Sequence, residues 1–222
     1  MKLTSMKISF LSLAIIAIAS VTGCTNTNNP NQNISSPSVD AVSNTDHSTM
    51  NHDMDMDLGT ADANYDLRFI DAMAMHHQSA VVMAREAQEK SKRPEIKQLA
   101  SNIIKAQKKE IAQMQQWRQA WYPQASEQPV AYGGANKSVV PMSAKQHETM
   151  MMSEDLGAAD AQFDLRFINA MIPHHEGAVT MAKDALNKSN RPEIKQLAQE
   201  IIASQQTEVK QMQQWRKAWY NQ

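Results

Sequence analysis

The sequence predicts an all-α protein, a four-helix bundle built from two copies of one helical hairpin. The first observation behind this is a duplication: Leu58 to Tyr122 aligns without a gap to Leu156 to Tyr220, at a constant offset of 98, with roughly two-thirds of the positions identical. The second is spacing. Phe69, Met73, His76, Ala80, Met83 and Ala87 lie alternately four and three apart, as do Phe167, Met171, His174, Ala178, Met181 and Ala185, which places each set on one stripe of a helix. The third is a proline in each copy, Pro94 and Pro192, where one helix must stop and another can begin.

Residues 1–23 read as a lipoprotein signal peptide. Lys2 and Lys7 give the positive start, Ile8 to Ala19 the apolar run, and Val21-Thr22-Gly23-Cys24 the small-residue end. A permanent span takes about 20 apolar residues, so this run is too short to be one. Cysteine directly after Thr-Gly resembles the lipobox of bacterial lipoproteins, in which that cysteine becomes the lipidated first residue, although Val21 and Thr22 depart mildly from the usual Leu and Ala or Ser. Cys24 is the expected lipid anchor to a membrane. An ordinary signal peptide cut nearby would leave it a free thiol, and the protein works outside the cytoplasm in either case.

Residues 24–57 are rich in Asn, Ser, Thr, Asp and Pro and lack apolar periodicity, which predicts a disordered tether. Its far end gathers His47, Met50, His52, Met54 and Met56 among aspartates. Polar tails seldom place Met at alternating positions, so this end is expected to capture metal.

The first hairpin spans residues 58–122. Asp62 is expected to cap its first helix, as Asp160 does in the second copy, with Asp66 or Asp164 in the opening turn facing the positive end of the dipole. The helix should run to about Glu89, roughly 40 Å at 1.5 Å per residue. Lys90 to Glu95 breaks it, and the next helix carries Ile96, Ala100, Ile103, Gln107, Glu110, Met114, Trp117 and Trp121 on one stripe. Folding about Ser91 to Arg93 brings His76 and His77 level with Gln107 and Glu110, and Met73 near Met114. Trp117, Trp121, Trp215 and Trp219 read as core anchors, and the Lys and Arg residues on the helix backs as a solvated face.

Residues 123–155 form the connection. Pro129, Gly133, Gly134 and Pro141 argue against regular structure in its first half, and it ends in His147, Met150, Met151 and Met152, a second His/Met lead. The second hairpin, residues 156–222, sets Met171, His174 and His175 against Gln205, Glu208 and Met212. It differs from the first at Pro173, which replaces Met75, removes a backbone hydrogen bond to Asn169, and is expected to kink the helix. The first copy therefore has a straighter helix and an extra thioether. Two hairpins joined by a long connection suggest one bundle, with dimerisation of each hairpin through another molecule as the alternative.

The chain has 22 basic and 23 acidic residues, so no surplus positive charge is available for a nucleic-acid backbone. It has 16 methionines, seven histidines and one cysteine. Thioether and imidazole together suit Cu(I) and its mimic Ag(I), and in an oxidising compartment Met replaces the cysteine that a disulfide would consume. Carboxylate and imidazole near the tail would also hold Cu(II). The candidate ligands in the hairpins are Met73, Met75, His76, His77, Met83 and Met114, then Met171, His174, His175, Met181 and Met212. Met73 sits three and four residues before His76 and His77, a spacing that lets the three side chains converge. Gln107, Glu110, Gln205 and Glu208 are the candidate supporting groups. A single Met on such a stripe is as readily core filler, and a seam His can be a satisfied core residue bonded to the facing Glu. An imidazole on an apolar seam twice over favours ligation, since an unpartnered buried polar group costs a few kcal/mol.

The string Phe167-x-x-x-Met171-Ile-Pro-His174-His175-x-x-Ala178-x-x-Met181-Ala182, followed by Leu197-Ala198-x-x-Ile201-Ile202-x-x-Gln205-x-x-Glu208-x-x-x-Met212-x-x-Trp215, resembles the bacterial domain-of-unknown-function family 305. The resemblance covers both repeats and implies a ferritin-like fold. Some extracytoplasmic members of that family bind copper and contribute to copper resistance. By position it implicates Met171, His174, His175, Met181 and Met212, with Met73, His76, His77, Met83 and Met114 in the first copy, where Ala74-Met75 departs from Ile-Pro.

The reading that follows is a copper-binding lipoprotein of the periplasm or cell surface that sequesters Cu(I) or hands it to a copper-accepting protein, in metal resistance or homeostasis. A di-iron oxidase is the enzymatic alternative, and it is disfavoured because no Glu-x-x-His occurs in the chain. A metal-independent helical interaction module is the third.

Overall fold

Four long helices dominate the computed structural model, which describes residues 56–136 and 139–222. They are α1 (Tyr65–Lys90), α2 (Pro94–Trp121), α4 (Phe163–Lys188) and α5 (Pro192–Tyr220). Between the hairpins lie β1 (Val130–Ala131), β2 (Val140–Pro141) and α3 (Ala144–Met151). None of the described helices is long and apolar enough to cross a membrane.

Each hairpin turns the same way. Ser91 and Ser189 end α1 and α4 in extended backbone, and each Oγ accepts from the N–H of the Arg two residues on, at 3.1 Å. Pro94 and Pro192 then open α2 and α5, where the missing N–H is no loss.

The expected aspartate caps are corrected here. α1 and α4 start three residues later than Asp62 and Asp160, and neither cap residue, Asn64 or Gln162, makes a side-chain cap bond. Asp62 instead accepts from the Asn64 N–H and from Arg68, whose guanidinium also donates to the Leu58 and Thr60 carbonyls. Asp160 and Arg166 repeat the arrangement. Arg68 is therefore fully buried and folds the approach to the helix; it does not belong to a solvated face.

The core is in two halves. One joins the N-terminal half of α1 (Phe69, Met73) to the C-terminal half of α4 (Met181, Ala185) and the start of α5. The other joins the C-terminal half of α1 (Ala80, Met83) and the start of α2 to the N-terminal half of α4 (Phe167, Met171) and Met212. α1 and α4 thus run antiparallel and cross midway, so the hairpins complete one bundle within the chain. Contacts are exchanged pairwise at its ends. Arg93 pairs with Asp164 and lies over Trp219, while Arg191 pairs with Asp66 and lies over Trp121. Lys90 donates to the Gly157 carbonyl and Lys188 to that of Gly59. Such reciprocity is the pattern of an approximate two-fold relation between the repeats.

The tryptophans, expected as core anchors, pack against the two halves of the core while staying only half-buried. Trp117 stacks on Trp121 and Trp215 on Trp219, each at 5.1 Å, and the arginine of the opposite hairpin caps the stack. Pro173 is exposed and α4 continues through it. In the connection β1 and β2 form a two-residue antiparallel ladder where no regular structure was expected, with Pro141 opposite Val130 at an edge. Buried Asp71 anchors it, accepting from the Val130 N–H and from Arg118. α3 is a second unexpected element, begun by a capping box between Ser143 and Gln146.

Candidate metal centre

The crossing of α1 and α4 falls at the histidines because those residues sit midway along both stripes. His76 and His174 meet there with ring centroids 3.8 Å apart. His76, His77, His174 and His175 are all buried, forming a polar layer between the two apolar halves of the core.

The two imidazoles of each pair diverge. His77 turns back within its own hairpin, its Nε2 lying 2.7 Å from Glu110 Oε2, and His175 does the same with Glu208 at 2.7 Å. This is the hairpin register expected from the sequence. Of the pair expected to converge with Met73, His77 thus turns to Glu110, whereas His76 meets His174 of the opposite repeat. A carboxylate bonded to Nε2 fixes the ring of His77 or His175 and leaves Nδ1, which has no partner in either residue.

His174 Nε2 lies 2.7 Å from Ser79 Oγ. His76 has no such neighbour, and neither of its ring nitrogens has a hydrogen-bond partner. Both amide atoms of Gln107 and Oε1 of Gln205, buried in the same layer, are also unpaired. Each such atom costs about 1–3 kcal/mol, which a merely structural polar layer would avoid. Burial holds the His76 imidazole well below its usual proton affinity, with further lowering from His77 and His175. His174 is lowered for the same first reason, then by His76, His175 and His77, and the Met151 backbone opposes this. Both rings are therefore neutral, the form that offers a lone pair to a metal.

Sulfur lies beside His76. The position that a β-carbon on Gly177 of α4 would take is 3.3 Å from His76 Nε2, 3.2 Å from Met152 Sδ and 3.0 Å from Met56 Cε. One small space thus has an imidazole nitrogen and two thioether side chains at its border. Met150 is buried in this half of the core, and Met75, Met73, Met114 and Met181 belong to it too, with Met142 and Met151 packed against it. Met83, Met171 and Met212 lie in the other half among aliphatic and aromatic neighbours. His147 is exposed on α3. His47, Met50, His52, Met54 and Cys24 lie outside the described residues. Among the described residues no three His, Cys, Asp or Glu side chains gather as a metal site, and the side chains that share the Gly177 gap with His76 Nε2 are thioethers.

Sequence reasoning passed over Ser79 and Gly177. They occupy matching positions in the two repeats, and their mismatch was visible, but its meaning depends on where α1 crosses α4.

A family model described as "Domain of unknown function (DUF305)" matches residues 66–216. The chain belongs to the DUF305 family. Among solved structures, CopM in its Cu(II)-bound form is 42% identical, covers 70% of this chain and 97% of CopM, and superposes with a TM-score of 0.57. CopM has also been solved with Cu(I) and with Ag bound, at 38% and 39% identity and a TM-score of 0.55 in both cases. A DUF305 fragment from Deinococcus radiodurans is 29% identical over 70% of this chain and 96% of the fragment, with a TM-score of 0.54. A 49-residue stretch is 51% identical to Uncharacterized protein L153 of Acanthamoeba polyphaga mimivirus; it covers 22% of this chain and 32% of the viral protein. The chain thus matches about a third of that relative's length. The all-α bundle expected of DUF305 is the one observed.

Proposed function

We propose that this DUF305 protein is an extracytoplasmic, lipid-anchored copper-binding protein that sequesters Cu(I), and Ag(I) in its place, through buried Met and His donors. The observation that carries the reading is His76: a fully buried, neutral imidazole with both nitrogens unpartnered, bordered by thioethers. Nitrogen with soft sulfur and no cysteine is a donor set for Cu(I) that does not have to lose protons to bind. The Cu(I), Cu(II) and Ag complexes of CopM support the same ion class. In this reading Glu110 and Glu208 hold the outer histidines in place, and the two apolar halves of the core keep water from the captured ion. In this reading the leader and Cys24 serve to tether the protein to a membrane beyond the cytoplasm, and its role is metal homeostasis or resistance, with the ion as cargo.

Elemental analysis of protein purified from copper-supplemented cells should find copper, and Ag(I) should raise the melting temperature of the apo protein. A ligand at 100 times its Kd adds about 2.7 kcal/mol to the folded state. Replacing His76, His77, His174 and His175 together by Ala should abolish most of that gain. An unchanged melting temperature in excess Ag(I) would refute the reading. Cys24→Ser should move the protein from the membrane to the soluble extracytoplasmic fraction.

A further inference from the structure

The two faces of the histidine crossing differ at one position. On α1 it is Ser79, whose hydroxyl donates to the His76 carbonyl at 2.8 Å and sits 2.7 Å from His174 Nε2. On α4 it is Gly177, which presents no side chain to His76 Nε2. What fills that gap comes from outside the repeats. Met152 lies just past the end of α3 and Met56 just before the first hairpin. Met152 caps α3 in left-handed backbone (φ 42, ψ 39), a conformation that usually selects glycine or asparagine. Its sulfur lies 3.2 Å from the position a β-carbon on Gly177 would take.

We propose that the crossing holds one soft monovalent ion, bound by His76 Nε2, Met152 Sδ and the Met56 thioether, and that Gly177 is the residue that makes room for it. Ser79 occupies the matching place at His174, its hydroxyl engaging Nε2 of that ring. The inference rests on the copper reading and refines it: the ion sits on one side of a near-symmetric bundle, and a residue that donates nothing decides which side. A β-carbon at 177 would stand 3.0–3.3 Å from all three donor side chains, so any larger residue competes with the ion for the same volume.

The test is a titration of Ag(I) into the full chain, labelled in its Met methyl carbons and His ring nitrogens, alongside Gly177→Ser, Met152→Leu and Ser79→Gly. The first equivalent should shift His76 Nε2 and the Met152 and Met56 methyls and leave His174 Nε2 unmoved. Gly177→Ser and Met152→Leu should each weaken that event on the order of 100-fold, and Ser79→Gly should leave it intact. Met152→Leu keeps the side-chain volume and backbone demand, so a site lost there is not a lost fold. The proposal is overturned if the first ion moves other residues, or if Gly177→Ser and Met152→Leu bind as tightly as the parent. Absence of any Ag(I)-dependent shift in the parent protein would instead overturn the copper reading itself.

Discussion

The half of the core on the His76 side contains or borders nine methionines, and the half on the other side three, although both are assembled from the same hairpin. The excess has two sources. Met75 stands where the second repeat has Pro173, and Met56, Met142, Met150, Met151 and Met152 come from segments that flank the repeats. Duplication supplied one crossing with two equivalent faces, and the unduplicated pieces made one of them soft. Other paired positions differ in the same spirit. Asp71 is matched by Asn169, Tyr65 by Phe163, and in each pair the first repeat carries the stronger polar tie.

The largest way to probe the crossing is pH. His76 and His174 are held neutral by burial in the folded state, whereas the unfolded chain takes up protons below about pH 6.5. Apo-protein stability should be complete above that pH and fall as pH drops, by up to about 1.4 kcal/mol per unit for each histidine. Denaturation of His76→Gln and His174→Gln, singly and together, should flatten the slope between pH 6.5 and 5. A slope that survives in the double variant would show that neither ring is the source.

The next contrast is Asp71 against Asn169. Asp71→Ala leaves the Val130 N–H unpaired and takes the carboxylate from Arg118, which keeps only the Ser126 and Gln128 carbonyls, and should cost about 2–3 kcal/mol in urea melts. Asn169→Ala removes one long 3.3 Å contact on the surface and should cost about 0.5 kcal/mol or less. Equal costs would mean that the connection is not anchored through α1. Tyr65→Phe makes the first repeat resemble the second. Burial, and then the bond to Asp184, push the Tyr65 hydroxyl far above its usual pKa, and losing that 2.8 Å bond should cost about 1 kcal/mol. The exchanged clamps give the smallest effect: Arg93→Ala and Arg191→Ala should each cost about 1 kcal/mol or less, and by the same amount, if the two ends are equivalent.

Much of this architecture could be read from the chain because its determinants are local. Pro94 and Pro192 mark the turns, and the four-three spacing fixes the seam and sets His77 opposite Glu110. What escaped reading depends on how the hairpins meet. Arg68 looks like any helix-back cation until the loop it braces is folded. Trp121 looks like a core residue until Arg191 arrives from the other repeat. α3 carried a readable signal in Ser143 and Gln146, obscured by prolines and glycines upstream. Gly177 could be seen to differ from Ser79 but not interpreted, since a missing side chain means something only when the groups around the gap are known.

The reciprocal latches at the two ends of the bundle have a bearing on how cargo gets in. Each turn is fastened by the other hairpin through an ion pair, a cation on an indole ring and a lysine on a carbonyl, so parting the helices at either end means breaking all three. At His76 the wall is different: the gap beside its Nε2 is bordered by the side chains of Met152 and Met56, which belong to none of the four long helices.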